Sequence, residues 1–263
     1  MAARPGILVF DSGLGGVTVY REIAAARPDA NFIYVADDAG FPYGALAESH
    51  LVARVVGLMD ELIAAHAPDL VVIACNTAST LVLPALRGRF SLPFVGTVPA
   101  IKPACAGSVT RRVSVLGTEG TVAREYTRAL IREFAKDCQV TLVGSRNLAA
   151  YGEAEFDGAP VSDEALRTEI VPCFLDDGTR TDTIVLACTH YPLLIERLRQ
   201  LAPWPVKFID PAPAIARRVT DMLEQPSSPL SKGTTCAFFT SGRAPAAALR
   251  LMRQEFDTAA VSP

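Results

Sequence analysis

No apolar run in this chain of 263 residues approaches the roughly 18 residues of a membrane-spanning helix, so no membrane association is expected. Charge of one sign is not in excess. Against 25 Lys and Arg stand 28 Asp and Glu, a net charge of -3 that leaves no basic face for nucleic acid or acidic lipid. Cys-x-x-Cys is absent, and the three histidines, His50, His66 and His190, have no metal-ligand spacing to one another or to a cysteine. No metal is expected. The cysteines, Cys75, Cys105, Cys138, Cys173, Cys188 and Cys236, are scattered, and no leader-like segment precedes them, since Met1 to Gly6 runs straight into the apolar Ile7 to Phe10. Reduced thiols and a cytoplasmic location follow. No lysine sits in a motif suited to a pyridoxal Schiff base. The glycines after Asp11-Ser12-Gly13-Leu14 match neither the phosphate-loop nor the dinucleotide pattern. No cofactor is expected.

What the sequence has is hydrophobic patterning, with 50% of residues apolar, enough for one large core or two small ones. Aliphatic runs at Ile7 to Phe10, Asn31 to Ala36, Leu70 to Ala74, Pro93 to Gly96, Val113 to Leu116, Val140 to Val143, Ile184 to Ala187 and Val206 to Ile209 read as strands. Between them lie helix-period stretches such as Leu51 to His66, where Leu51, Val55, Leu58, Met59 and Leu62 recur at helical spacing. The alternation predicts an α/β fold with mostly parallel strands. The stretch from Phe10 to Val17 follows a strand and opens a helix, and Leu116 to Val122 does so again where a second copy would start. Each half then carries a strand ending in Ala-Cys. This repetition predicts two pseudo-symmetric α/β domains, residues 1–98 plus 212–263 and residues 99–211, with the active site in the cleft between them. The break falls in the turn-rich stretch Thr97 to Pro103. The tail reads as a helix (Ala214 to Leu223), a Pro- and Ser-rich loop (Pro226 to Lys232), a strand (Cys236 to Thr240) and a final helix, packed back onto the first half.

In open parallel sheets, ligands sit at the carboxyl ends of strands, where helix N-termini offer free backbone N–H groups. Asp11, Ser12, Cys75, Asn76, Thr77, Thr118, Cys188, Thr189 and His190 all fall at such ends. A cysteine after a buried strand is ordinarily a small core residue, and Cys105, Cys138, Cys173 and Cys236 are read that way. Cys75 and Cys188 differ, because each is followed at once by hydrogen-bonding side chains at an expected helix start, where the dipole lowers a thiol pKa from about 8.5. Asp11 suits a helix cap, and equally a carboxylate that governs one thiol's proton. His190 suits a buried, satisfied imidazole, and equally a group that sets the charge of Cys188 near neutral pH. Phe41-Pro42-Tyr43-Gly44 reads as a turn or as a border of the cleft offering backbone N–H groups to a carboxylate.

A cysteine with a histidine and an acid suggests first a hydrolase or acyl transferase. That chemistry needs one thiol, and a redox dithiol would want two adjacent ones. Two thiols in matched halves suit stereoinversion, in which one removes an α-proton while the other delivers a proton from the opposite face. The set Asp11 to Gly16, Pro42-Tyr43-Gly44, Cys75 to Ser79, Leu116-Gly117-Thr118, Cys188 to Pro192 and Phe239 to Gly242 closely resembles the glutamate racemase family of the cofactor-independent aspartate/glutamate racemases. The resemblance implies that Cys75 takes the proton from D-glutamate, assisted by Asp11. It implies likewise that Cys188 takes it from L-glutamate, assisted by His190 with Glu153. It further implies that Ser12, Asn76, Thr77, Thr189 and His190 bind the amino acid together with Asp11, and that Tyr43, Gly44, Thr118 and Thr121 help hold it. D-glutamate for peptidoglycan and a homodimer are the implied product and assembly. The flanks of Glu153, Ser145 to Gly152, differ from the family's usual Cys-Pro segment. Racemisation of aspartate or another amino acid, a cysteine-dependent amidase, and a binding module without chemistry remain alternatives.

Overall fold

The computed structural model describes residues 4–223, 232–243 and 259–261. The chain divides into two compact units, Met1–Thr97 with Ala212–Pro263, and Val98–Pro211. The first unit opens with β1 (Gly6–Asp11), α1 (Val17–Ala26), β2 (Asn31–Ala36), α2 (Glu48–His66), β3 (Leu70–Ile73), α3 (Asn76–Arg89) and β4 (Phe94–Gly96). The second unit holds α4 (Ile101–Gly107), β5 (Arg112–Thr118), α5 (Glu119–Ala123), α6 (Glu125–Phe134), β6 (Gln139–Ser145), α7 (Leu148–Phe156), α8 (Asp163–Ile170), β7 (Thr183–Ala187), α9 (Ile195–Leu201) and β8 (Lys207–Ile209). The tail returns to the first unit with α10 (Ala212–Met222), β9 (Thr235–Phe239) and β10 (Ala259–Val261). The final helix expected in the tail, and residues 226–231 of the loop before β9, lie outside the described residues.

Both sheets are parallel among the described residues, in the orders β10-β9-β2-β1-β3-β4 and β6-β5-β7-β8. Four consecutive strands of the first sheet, β2-β1-β3-β4, therefore repeat in the second as β6-β5-β7-β8. Two parallel-sheet α/β domains of like topology result. Parallel strands covered on both faces read as continuous apolar runs, and Ile7, Leu8, Val9 and Phe10 of β1 are all fully buried. Each such side chain contributes about 1.5–3 kcal/mol of burial.

The core of the first unit gathers Leu8, Phe10, Val71 and Ile73 under Leu51, Val55 and Met59 of α2, the one-turn spacing read from the sequence. Leu58 and Leu62 pack partly buried at the edge of that stripe. In the second unit Val113, Val115, Val185 and Ala187 pack under Ile101, Ala104 and Cys105 of α4. Cys173 is wholly buried, as read for a core cysteine, while Cys138 and Cys236 are half-buried, each with its thiol 3.6 Å from a backbone carbonyl. The strand ends that carry chemistry are thus held by a rigid apolar layer in each unit.

Candidate active site

In the first unit, Cys75 follows β3 and is the N-cap of the fourteen-residue α3. Its backbone is extended (φ -68°, ψ 120°), so the chain turns there from strand into helix and the thiol, 4% exposed, lies at the positive end of the helix dipole. The Ser12 hydroxyl stands 3.4 Å from Cys75 Sγ. Asp11 closes β1 and is wholly buried, and its Oδ2 accepts from the amides of Gly13 at 3.2 Å and Gly16 at 2.9 Å. Gly16 is required by that approach, since a Cβ there would stand 2.5 Å from Asp11 Cβ. Asn76, 1% exposed, has neither its amide nitrogen nor its amide oxygen hydrogen-bonded among the described residues. Burying an amide without partners costs on the order of 1–3 kcal/mol, which a bound polar molecule would recover. Thr77, next in α3, is buried beside it.

Tyr43 is buried in a short turn, and its hydroxyl donates to Asp37 Oδ2 at 2.5 Å. Asp37, directly after β2, also takes a two-pronged bond from Arg54, both arms at 2.6 Å, and a bond from the Thr240 hydroxyl at 2.6 Å. Burial acts to raise this carboxyl's pKa, but the bonds from Arg54, Thr240 and Tyr43 outweigh it and hold the carboxyl below its ordinary range. Burial and then the Asp37 charge push the Tyr43 phenol well above its own. The Tyr43-Gly44 turn is therefore fixed by a buried ionic hub. The amides of Ala45 and Leu46 close the turn on Pro42 and Tyr43 carbonyls. Gly44 is partly exposed.

In the second unit, Cys188 follows β7 and is 6% exposed. Here the expectation of a helix start is corrected: a tight turn and a four-residue 3-10 segment, Tyr191–Leu194, intervene before α9, so no α-helix dipole begins at this thiol. An imidazole stands in its place. His190 Nδ1 lies 3.7 Å from Cys188 Sγ, and His190 Nε2 lies 2.8 Å from Glu153 Oε1 on α7. An ionised carboxylate only accepts, so Nε2 carries the hydrogen and Nδ1 is left to exchange a proton with the thiol. The ring is 1% exposed, and Gly152 lets α7 come close, since a Cβ there would stand 3.0 Å from the His190 carbonyl. Thr189 is buried between the two. Thr118 caps α5, accepting from the Thr121 amide at 3.1 Å, with the two hydroxyls 2.9 Å apart.

The structure thus gathers Asp11, Ser12, Cys75, Asn76 and Thr77 at strand ends in one unit, and in the other Cys188, Thr189 and His190 after β7 with Glu153 brought up from α7. The Asp/Glu/Hydantoin racemase family matches residues 7–219. The chain belongs to this family. Glutamate racemase of Agrobacterium fabrum is 53% identical over 250 residues, covering 94% of this chain and 92% of the relative, and that of Sinorhizobium medicae is 54% identical over 251 residues with the same coverage. Among solved structures, Escherichia coli glutamate racemase in complex with L-glutamate and the activator UDP-MurNAc-Ala is similar with a TM-score of 0.87 and 41% identity over 98% of each chain.

Asp37, the residue that holds Tyr43, carries no motif of its own in the sequence. A signal was present: Asp37 follows the buried strand β2 as Asp11 follows β1. Thr97, in the turn-rich stretch directly after β4, likewise has its hydroxyl buried without a hydrogen-bond partner among the described residues. Among the described residues no cluster of His, Cys, Asp or Glu could hold a metal ion, and no helix is long and apolar enough to cross a membrane.

Proposed function

We propose that this protein is a glutamate racemase, an isomerase that interconverts L- and D-glutamate by two-thiol proton transfer at the α-carbon without a cofactor. The observation that carries the reading is the pair of buried thiols at equivalent strand ends, Cys75 after β3 and Cys188 after β7, in a chain whose relatives at 53–54% identity are glutamate racemases. The reaction removes a proton from a poor carbon acid beside a carboxylate, with no electron sink. It therefore requires a base on one face, an acid on the other, and hydrogen-bond donors for the charge that grows on the carboxylate.

In this reading Cys75 deprotonates D-glutamate and Cys188 deprotonates L-glutamate, each thiol reprotonating the product of the other. Asp11 and Ser12 serve the first thiol. His190, held by Glu153, serves the second. The unpartnered Asn76 amide, with Thr77 and Thr189, binds the α-substituents, and Tyr43, Gly44, Thr118 and Thr121 hold the rest of the substrate. The domains act as residues 1–98 plus 212–263 and residues 99–211. The setting is cytoplasmic peptidoglycan synthesis, and the assembly a homodimer.

Proton NMR of L-glutamate with the purified protein in D2O tests this. D-glutamate carrying α-deuterium should form without added cofactor, and Cys75→Ala and Cys188→Ala should each abolish it. Loss in Cys188→Ala alone would instead favour a cysteine hydrolase built on Cys188, His190 and Glu153. No exchange with glutamate but exchange with aspartate would move the substrate, not the reaction class.

A further inference from the structure

Behind the Cys188 turn lies a polar cluster that the proposed chemistry does not use. Ser145, the last residue of β6, is 3% exposed. Its hydroxyl donates to Glu169 Oε2 on α8 at 2.5 Å and accepts from the Leu148 amide, the first residue of α7, at 3.0 Å. The other oxygen of the same carboxylate, Glu169 Oε1, accepts from Asn147 Nδ2 at 2.8 Å. Glu169 thus grips Ser145 and Asn147 on the approach to α7. Tyr191 is wholly buried and next to His190 in sequence; burial first, then the Cys188 thiol and the Glu169 carboxylate, push its phenol pKa well up, while Ser145 acts the other way, and its hydroxyl has no hydrogen bond of good geometry among the described residues.

Two chain segments therefore meet one anchor. One is the start of α7, which five residues later presents Glu153. The other is the turn that carries Cys188, His190 and Tyr191. Their working contact is the 2.8 Å bond between Glu153 and His190, and Gly152 sits so close to the His190 carbonyl that α7 has no room to shift inward. Charge-assisted bonds such as those to Glu169 are short and directional, which suits them to fixing a helix start.

We propose that Glu169, acting through Ser145 and Asn147, is a positioning residue for the Cys188 half-reaction: it sets the register of α7 and so the Glu153–His190 contact that tunes the thiol. The inference rests on the racemase reading of the site. A carboxylate on α8 and a hydroxyl at the end of β6 act here on one proton transfer and not on the other.

The test exploits the symmetry of the reaction. Enantiomers have equal free energy, so kcat/KM is the same in both directions and cannot tell one thiol from the other. The α-deuterium isotope effect can, because label on L-glutamate reports the transfer to Cys188 and label on D-glutamate the transfer to Cys75. Wild-type racemisation is measured first, and its absence would sink the reading of the site rather than this proposal. In Glu169→Gln and Ser145→Ala, kcat/KM should fall roughly tenfold, as expected for a lost fraction of an ångström in alignment. The isotope effect on kcat/KM should rise with α-deuterated L-glutamate and fall with the D-isomer. Glu169→Asp, which keeps the charge, should recover part of the loss. The proposal is overturned by kcat/KM unchanged in both variants, or by a fall in which the two isotope effects stay put or move together, the mark of a general structural role. Ser145→Ala leaves the surface untouched and removes only a hydroxyl, so it carries the test should Glu169→Gln not fold.

Discussion

The two units set a thiol at the same topological place and surround it by different means. Cys75 caps a long helix, with the Ser12 hydroxyl 3.4 Å from its sulfur and, at the end of the adjacent strand β1, the carboxylate of Asp11, whose Oδ2 is engaged by the backbone amides of Gly13 and Gly16. Cys188 has no helix start, and an imidazole backed by a carboxylate instead. The first environment is built largely from fixed peptide dipoles. The second contains a group whose ordinary pKa lies near neutrality. Repetition of a sheet conserves where a reactive group sits, and leaves free how its proton is managed.

The largest effects should come from removing either manager. Asp11→Asn and His190→Asn should each lower kcat/KM by about 100-fold, within the span of a lost general acid–base contribution. Their α-deuterium isotope effects should move in opposite senses, rising for D-glutamate in the first and for L-glutamate in the second. Movement in the same sense would erase the division of labour between the units. Next in size is the hub at Asp37. Removing the carboxylate strands the half-buried Arg54 guanidinium and the Tyr43 and Thr240 hydroxyls, so Asp37→Asn should cost about 1–3 kcal/mol, read as a lower urea midpoint. Because this carboxyl's folded pKa lies below its ordinary 3.8, its contribution is present above that value and lost as pH falls through the folded pKa. The stability gap between wild type and variant should therefore be constant from neutral pH to about 4 and close only in stronger acid.

The glycines under each manager sharpen the comparison further. Gly16→Ala drives a Cβ to 2.5 Å from Asp11 Cβ, a distance real structures do not tolerate, whereas Gly152→Ala meets the His190 carbonyl at 3.0 Å. Activity should fall more steeply in the first, and melting temperature should fall in both. The smallest effect is a gain. Gly57, mid-way along α2, has open space where a Cβ would go, and Gly57→Ala should add about 0.5–1 kcal/mol by thermal or urea unfolding.

Much of this was legible in sequence because parallel strands announce themselves. The runs at Ile7, Leu70 and Ile184 are buried on both faces, so they are apolar throughout, and the polar residue that ends each is conspicuous. Elsewhere the local signal failed for physical reasons. Thr189-His190-Tyr191-Pro192 looks like a helix entry, since proline suits a first turn, but the chain winds there into a 3-10 segment. The Asp37 hub joins a strand end, a helix and a residue more than 200 positions away, and no window of sequence displays such a meeting. Ser145 and Glu169 are likewise separated by a helix and a loop, and each alone reads as an ordinary surface-forming residue.

β9 lies against β2 in parallel register, Phe32 beside Thr235 through Ala36 beside Phe239, and Thr240 closes the Asp37 hub. A growing polypeptide leaving the ribosome therefore presents every strand of the second unit, β5 to β8, before it can finish the first. The second unit's strands are made while the earlier sheet waits with an open edge at β2, and the Tyr43 turn is fixed only once β9 and Thr240 have been made.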